Sequence, residues 1–324
     1  MKLSRLNAFN GFLLAAVLTA PAWAADTALP GTLNYIEGQA TVGDQALTTK
    51  SVGSVGLQPG ESLRTDTGKA EILLTPGVFL RVGDNSTVKI VSSNLTNTEA
   101  DLTKGQSTVE VAEIHEYNDL RIVENGVTTR VLKDGLYSFD ADHNQVLVYK
   151  GEALVQDGDQ NIKVKDGHEL DLNQTGRLQT RKFNKNSYES SDLYRFSALR
   201  SQYLAEANVD VARKYYAGGP GFYGAGWYWD PFFTAYTFIP GDGIFYSPFG
   251  YGFYSPFFVG YAPYYGFYGY RGGYGLYPGY YRGRVVRGAN GPVYQGRAVA
   301  SAPAARASFG ASGSGFHGGG GFHR

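Results

Sequence analysis

The sequence contains no cysteine in its 324 residues, which excludes disulfides, thiolate metal ligands and a cysteine nucleophile. Common catalytic motifs are also missing: there is no Gly-x-Ser-x-Gly elbow, no phosphate-binding loop and no His-Glu-x-x-His. The 29 acidic residues form no pattern that supports a glycosidase pair, so we interpret them as scattered surface carboxylates. We therefore expect a non-enzymatic protein without a cofactor, stabilised by an ordinary apolar core.

The sequence also lacks an apolar run of the length, about 20 residues, that spans a bilayer. Its most apolar run, from Gly11 to Ala20, follows two basic residues and precedes the small-residue site Ala22-Trp23-Ala24. This order is typical of a secretory signal peptide, which we predict at residues 1–24. We expect the mature protein to be secreted across the inner membrane to the periplasm or cell surface, without a transmembrane span.

One short pattern occurs three times in the first half of the chain. An apolar residue is followed by two spacers, a glycine, and then a small residue and a valine at alternating positions. The copies are Tyr35-x-x-Gly38-x-Ala40-x-Val42, Leu102-x-x-Gly105-x-Ser107-x-Val109 and Val148-x-x-Gly151-x-Ala153-x-Val155. Such alternation after a glycine is typical of a half-buried strand that leaves a tight bend or bulge.

Short apolar runs separated by turn residues fill the segment around these copies, as in Thr75-Pro76-Gly77 and Asn125-Gly126. This spacing predicts about ten to fourteen strands in an all-β domain at residues 26–185. The domain is expected to be a repeated-hairpin β sandwich or a short β solenoid.

The periodicity changes after the β domain. Apolar residues recur at three- and four-residue spacing from Leu193 to Val211, which predicts one amphipathic helix over residues 188–217. Its apolar stripe could pack on the β domain or on another copy. Since the composition shifts abruptly at Gly218, a chain that ends there is expected to keep a folded β domain.

Residues 218–285 form an aromatic region rich in Gly, Pro and Tyr, and residues 286–324 form a Gly/Ala/Ser-rich tail that we expect to be disordered. Charge is divided in the same way. Residues 26–217 hold 20 basic and 27 acidic residues, whereas the remainder holds seven arginines, no lysine and two acidic residues. The halves therefore have opposite charge and could attract each other or another copy.

The Gly-x-Ala-x-Val copies and the run from Ala70 to Ser86 resemble the FecR-type domain, over roughly residues 33–172. The later helix and aromatic block resemble secreted FecR-domain proteins of acidobacterial-type bacteria. In FecR-type regulators this β domain lies in the periplasm and follows a cytoplasmic anti-sigma segment and a membrane helix. Only ten residues precede the apolar run here, so we do not expect direct control of a sigma factor.

Candidate binding residues come mainly from the aromatic region, where rings could stack on a protein partner or on sugars. The set is Trp227, Trp229, Phe232, Phe233, Tyr246 and Tyr251. The Arg-Gly segments Arg271-Gly272-Gly273 and Arg282-Gly283-Arg284 imitate nucleic-acid-binding tails, but secretion argues against a nucleic-acid partner. Self-association or adhesion through stacking and cation–π contacts is the interpretation we favour, beside that of a tail with no partner.

Two groups of residues could suggest a metal site, Glu113 with His115 and the segment Asp140-Ala141-Asp142-His143. We interpret the first as part of an exposed strand face and the second as a solvated hairpin turn. His317 and His323 lie in the glycine-rich tail, where binding would cost conformational entropy. No metal is therefore expected.

From these observations we expect a FecR-like binding and assembly module whose partner is an envelope protein or a second copy. Strand addition to an exposed sheet edge is the expected docking mode of the β domain. Two alternatives stay open: a periplasmic signal-sensing component of a regulatory system, and an adhesive surface protein that binds polysaccharide.

Overall fold

A computed structural model describes residues 28–115, 117–218 and 221–263, together with the backbone of two strands at 281–288 and 291–298. The chain divides into two compact units, one ending at Pro263 and one beginning at Tyr264. The predicted signal peptide lies outside the described residues, as do residues 299–324 of the expected disordered tail.

Strands dominate the described part of the first unit. Its elements are β1 (Leu33–Val42), β2 (Gln45–Ala46), β3 (Ser62–Leu73), β4 (Val78–Val82), β5 (Thr87–Asn94), β6 (Asn97–Lys104), β7 (Gln106–Val111), β8 (Asp119–Glu124), β9 (Val127–Val131), β10 (Gly135–Asp140), β11 (Gln145–Lys150), β12 (Glu152–Asp157), β13 (Gln160–Lys165), β14 (His168–Asp171), β15 (Arg181–Lys182), α1 (Lys185–Glu189), α2 (Asp192–Tyr216), β16 (Gly226–Asp230), β17 (Ala235–Ile239), β18 (Ile244–Tyr246) and β19 (Gly252–Tyr254). Short 3-10 turns occur at Thr49–Ser51 and Val259–Tyr261.

Strands β1 to β15 form one 15-stranded sheet, which confirms the prediction of an all-β fold. Its main path runs β13-β12-β9-β8-β6-β5-β3-β4-β7-β10-β11-β14-β15, and β1 pairs with β2 and β3. Strand β6 pairs with β8 in parallel, whereas the other pairs in this sheet are antiparallel. One continuous apolar cluster takes side chains from strands as distant along the path as β12 and β14. The sheet therefore curls around a single core, and β13 contacts β14.

The repeated glycines occupy the bends that the sequence predicts. Gly151 has φ +104°, and a Cβ there would lie 2.2 Å from the hydroxyl oxygen of Tyr137. Gly105 has φ +75°, and a Cβ there would lie 2.2 Å from Oγ of Ser86. Both positions need glycine, because they combine left-handed backbone with a close approach to a neighbouring strand.

Strands β3, β4 and β7 are covered on both faces. Alternate residues such as Ile72, Leu80 and Val109 face the main core, while the intervening residues Leu73 and Phe79 join a second cluster on the outer face. Helix α2 packs over this outer face. Its observed start at Asp192 is set by Ser191, whose hydroxyl accepts a hydrogen bond from the backbone N–H of Tyr194. Helix α2 therefore packs its apolar stripe on the β domain of its own chain, one of the two arrangements expected from the sequence.

The aromatic residues up to Pro263 also belong to the first unit. The hairpins β16–β17 and β18–β19 pack on α2 and on the outer face of the sheet, and they bury Trp227, Phe238 and Phe253. The expected boundary at residue 218 therefore differs from the observed division after Pro263. The physical reason is that these rings supply the apolar cover that α2 alone leaves incomplete.

In the second unit, strands β20 (Tyr281–Gly288) and β21 (Gly291–Ala298) form an antiparallel hairpin. The end of β20 and the whole of β21 lie in the stretch 286–324 for which the sequence predicts disorder. Valine and tyrosine at positions 285, 286, 293 and 294 favour extended backbone, although glycine and alanine are frequent around them.

Candidate functional site

A buried ionic network joins helix α2 to the outer face of the sheet. Arg81 donates from Nε to Glu71 Oε2 at 2.8 Å and from Nη1 to Glu110 Oε2 at 2.5 Å. From the helix, Arg200 donates from Nη2 to Glu71 Oε1 at 2.9 Å, and the Ser201 hydroxyl donates to Glu110 Oε1 at 2.7 Å. Two arginines and two glutamates thus pair with each other, and all four side chains are buried.

The two carboxylates of this network have opposite pKa shifts. Burial opposes ionisation of Glu71, but Arg200 and Arg81 outweigh it and hold the pKa of Glu71 below its usual value. Burial raises the pKa of Glu110, an effect that Arg81 and Ser201 only partly offset. Buried ion pairs contribute little net stability but penalise any other arrangement. The network therefore fixes the position of α2 on the sheet.

Two buried asparagines attach the aromatic hairpins in the same way. The side-chain amide of Asn34 donates to the carbonyl of Tyr236 at 3.0 Å and accepts from its backbone N–H at 2.8 Å. Asn208 on α2 makes the same pair of bonds with Tyr254, at 3.0 and 2.8 Å, and also donates to the carbonyl of Phe238. Each side-chain amide thus gives one hairpin residue the pair of hydrogen bonds that a neighbouring strand would otherwise supply.

The hairpins and the end of α2 bring four rings into contact, and further exposed rings lie on the same elements. Phe222 lies with its ring centroid 6.0 Å from Tyr215, 5.9 Å from Tyr228 and 6.4 Å from Phe257. The 3-10 turn that contains Tyr261 packs against α2. We define the aromatic surface as Tyr215, Tyr216, Phe222, Tyr223, Tyr228, Phe257 and Tyr261.

Four rings of the aromatic surface are largely exposed: Tyr216 by 68%, Tyr223 by 89%, Phe257 by 69% and Tyr261 by 61%. With about 200 Å² for an aromatic side chain, the four side chains together expose roughly 570 Å². Large exposed aromatic side chains that lie near one another commonly mark an interaction site.

A carboxyl pair lies beside the aromatic surface. Lys214 Nζ lies 2.7 Å from Asp210 Oδ2 and 3.8 Å from Asp230 Oδ2. Burial, together with a hydrogen bond to Asp210, raises the pKa of Asp230. Burial opposes ionisation of Asp210, but hydrogen bonds with Lys214 and Asp230 lower its pKa. The pair of acidic groups therefore lies between the helix and hairpin β16–β17, with Lys214 as its nearest cation.

The six aromatic candidates from the sequence occupy different environments. Trp227 lies in the second core cluster and is 6% exposed, so its predicted role in stacking on a ligand is corrected. Trp229 and Tyr251 are half-buried and pack against the same cluster. Phe232 is exposed and contacts the half-buried Phe233, and Tyr246 is partly exposed. The aromatic surface contains none of these six residues.

The candidate metal groups lie in loops and turns. Glu113 and His115 follow β7 in a loop rather than on a strand face, with Oε1 and Nε2 3.1 Å apart. His143 lies in the turn between β10 and β11, with Nδ1 2.9 Å from Asp140 Oδ2. Within residues 28–263, leaving out the three that are not described, no group of three or more His, Asp and Glu could hold a metal ion. His317 and His323 lie outside the described residues.

The edges of the large sheet offer little room for strand addition. At one end, Gln160 of β13 bonds the loop at Gly176 and Leu178, and Lys163 and Lys165 are exposed on the same strand. At the other end, β15 is two residues long. Short edges that carry lysine resist pairing with another chain, so the expected edge docking gains no support from the fold.

Similarity to known proteins is slight. No protein-family model matches the chain, and no curated protein sequence matches it. Two crystal structures of a proposed anti-sigma factor from Parabacteroides distasonis, at 2.50 and 1.65 Å resolution, share 11% identity and a TM-score of 0.33. The alignment covers 38% of this chain and 60% of those chains, which is less than two thirds of their length. A similarity of this size carries no argument on function, and the FecR-type resemblance stays a prediction.

None of the helices in the described part of the chain is long and apolar enough to span a membrane.

Proposed function

We propose that this protein is an exported, non-enzymatic binding and assembly module of the bacterial cell envelope. The aromatic surface is the observation that carries this proposal. It exposes four large rings on a support fixed by the buried network and by Asn208. Rigid aromatic side chains lose little conformational entropy on binding and are frequent anchors of protein interfaces.

A second copy of the chain is the partner that we propose for the aromatic surface. The summed exposed aromatic area of roughly 570 Å² approaches the contribution of one partner to a standard interface, about 800 Å². Ring–ring contacts are reciprocal across a two-fold axis, so one aromatic surface can face its own copy without needing a partner of different chemistry.

Sedimentation velocity of the mature chain from Ala25 to Arg324 tests this partner. We expect a reversible dimer, and we expect the double substitution Tyr223→Ser with Phe257→Ser to weaken it by at least tenfold. The thermal midpoint should hardly change, because both side chains are exposed. The matched control is Leu95→Ser with Tyr117→Ser, which removes two exposed apolar side chains from another part of the β domain.

A chain that is monomeric at every concentration, or a dimer that both double variants weaken equally, would contradict this use of the aromatic surface. Export is tested separately by fractionation, protease treatment of intact cells and N-terminal sequencing. A mature start at Ala25 with surface cleavage supports assembly at the surface, whereas an uncleaved Met1 in the inner membrane contradicts export.

The second candidate is a periplasmic signal-sensing component. It is supported by the FecR-like copies, whose glycines at positions 38, 105 and 151 all adopt positive φ, as the repeated bend requires. If the aromatic-surface variant changed transcription while the dimer stayed intact, sensing would be favoured over assembly.

A further inference from the structure

The two edges of hairpin β16–β17 differ in their hydrogen bonding. This hairpin is a two-stranded sheet of its own, in which Trp229 lies opposite Tyr236. Both backbone groups of Tyr236 bond the side-chain amide of Asn34, so they point away from β16. Residues opposite each other in an antiparallel pair either exchange both hydrogen bonds or both point outward. The N–H and C=O of Trp229 therefore lie on the outer edge of β16.

Trp227 has the same orientation, two residues earlier on the strand. It lies opposite Phe238, whose carbonyl accepts from Asn208 and so also points away from β16. Within the part of the chain that the structure describes, no hydrogen bond reaches these outward groups of Trp227 and Trp229. We name the two N–H and two C=O groups the β16 edge. Since Trp227 is buried and Trp229 half-buried, and buried backbone groups are nearly always paired, this edge needs a partner.

We propose that the β16 edge pairs with the β16 edge of a second copy, an inference that rests on the proposed dimer. The order Gly226-Trp227-Tyr228-Trp229-Asp230 suits antiparallel pairing centred on Tyr228. Trp227 of each copy then faces Trp229 of the other, and all four groups of each edge form hydrogen bonds. Asp230 faces Gly226, so no like charges lie opposite each other.

The position and composition of β16 favour a second copy as the occupant. Tyr228 also belongs to the aromatic surface, where its ring centroid lies 5.2 Å from that of Tyr215. A two-fold axis at Tyr228 therefore brings the edges and the aromatic surfaces of both copies together. The exposed aromatic area, roughly 570 Å², is smaller than the about 800 Å² of a standard interface, and strand pairing adds main-chain contact. Residues 226–230 contain no lysine or proline, the residues that usually block such pairing.

Because the chain has no cysteine, a disulfide can test this register in the full mature protein. Tyr228→Cys places two thiols opposite each other at a Cα separation of about 4.5 Å, within reach of a disulfide. The matched control is Gly226→Cys, where the same pairing separates the two Cα atoms by about 13 Å. A Cβ at Gly226 meets only the ring of Tyr228, at 3.5 Å, so this substitution fits the fold. With oxidised glutathione we expect at least tenfold more covalent dimer from Tyr228→Cys, whereas equal yields would overturn the pairing centred on Tyr228.

Amide hydrogen exchange of the parent protein tests the β16 edge without any substitution. The amides of Trp227 and Trp229 should exchange at least tenfold more slowly in the concentrated dimer than in the dilute monomer. The amide of Tyr228 points toward β17 within the hairpin, so it is the internal control and should change less than twofold.

A dimer in which the amides of Trp227 and Trp229 exchange as in the monomer would overturn this use of the β16 edge and leave the aromatic surface as the interface. A chain that is monomeric at every concentration would overturn both proposals. Two further results would assign the edge to another occupant and so overturn pairing between copies. Protection at every concentration that is lost on truncation at Pro263 would assign it to residues 264–324 of the same chain. Protection that requires a cell-envelope extract would assign it to a different protein.

Discussion

Asn208 pairs with Tyr254 through both halves of its side-chain amide, although 46 residues separate them in the chain. The amide is fully buried, and it also satisfies the carbonyl of Phe238. An asparagine in the apolar stripe of a helix would ordinarily destabilise the packing. Here it supplies the hydrogen bonds that two short hairpins cannot obtain from a wider sheet.

Replacing Asn208 with leucine should lower the free energy of unfolding by about 3 kcal/mol, because one buried N–H and two carbonyls lose their partners. Asn208→Asp keeps the acceptor and loses the donor, so it should also be destabilising. Urea unfolding followed by tryptophan fluorescence measures both, since Trp227 lies in the same cluster region. Asn161→Leu, at an exposed position on β13, is the control and should change stability by less than about 0.5 kcal/mol. Equal effects at the two positions would contradict the bridging role.

Replacing Arg81 with methionine should cost about 3–5 kcal/mol of unfolding free energy, because Glu71 loses one partner and Glu110 loses its only cation. The variant tests whether the network holds α2 in place. Arg64→Met, which breaks the exposed pair with Asp66, is the matched control and should cost less than about 1 kcal/mol. Similar midpoints for the two variants in chemical denaturation would show that the buried network is replaceable by apolar packing.

Much of the β domain could be predicted from sequence because its signals are local. The repeated glycines mark bends that other residues cannot adopt, as at Gly151, and alternation of apolar residues marks the strands between them. The extent of the sheet, with β6 beside β8 in parallel, could not be predicted, since strand order depends on contacts distant in sequence.

The packing of the aromatic hairpins on the sheet could not be predicted from the sequence, for a different reason. Low-complexity composition suggested an independent region after residue 218, but composition does not reveal that Phe238 and Phe253 fill a gap beside Phe79. A weak signal was present in Arg81, the one polar residue in the run Val78–Val82, and in Asn208, which lies on the apolar stripe of α2. Such residues need buried partners, and the partners lie in other elements of the fold.

The pH dependence of stability should report on Glu124, whose side chain is fully buried at the end of β8. Burial, and secondarily the nearby Asp140 carboxylate, raise the pKa of Glu124 to about 8, with partial opposition from the backbone of Asp140. Because the folded pKa lies above the unfolded one, the neutral form favours the fold. Its contribution is complete below the unfolded pKa, near 4.5, and is lost as the pH rises toward 8.

Glu124→Gln should therefore flatten the stability profile between pH 5 and 8, where the parent protein loses roughly 1 kcal/mol per pH unit through this group. Chemical denaturation at several pH values provides the measurement. The surface variant Glu189→Gln should retain the parent slope. If Glu124→Gln and the parent protein had parallel profiles, the carboxyl group would not be titrating in this range.

The first unit ends after the aromatic hairpins, at Pro263. A chain that stops at Gly218 loses Trp227, Phe238 and Phe253, and it exposes Phe79 on the sheet, whose ring lies 5.0 Å from that of Trp227. Burial of each large apolar side chain contributes about 1.5–3 kcal/mol, so truncation at Gly218 should cost about 5 kcal/mol or more, comparable to the whole stability of many domains. A chain that stops at Pro263 keeps this cluster and should unfold as cooperatively as the full mature protein. Differential scanning calorimetry of both truncated chains measures this directly. A sharp transition at an unchanged midpoint for the shorter chain would restore the boundary at residue 218 and remove the structural support proposed for the aromatic surface.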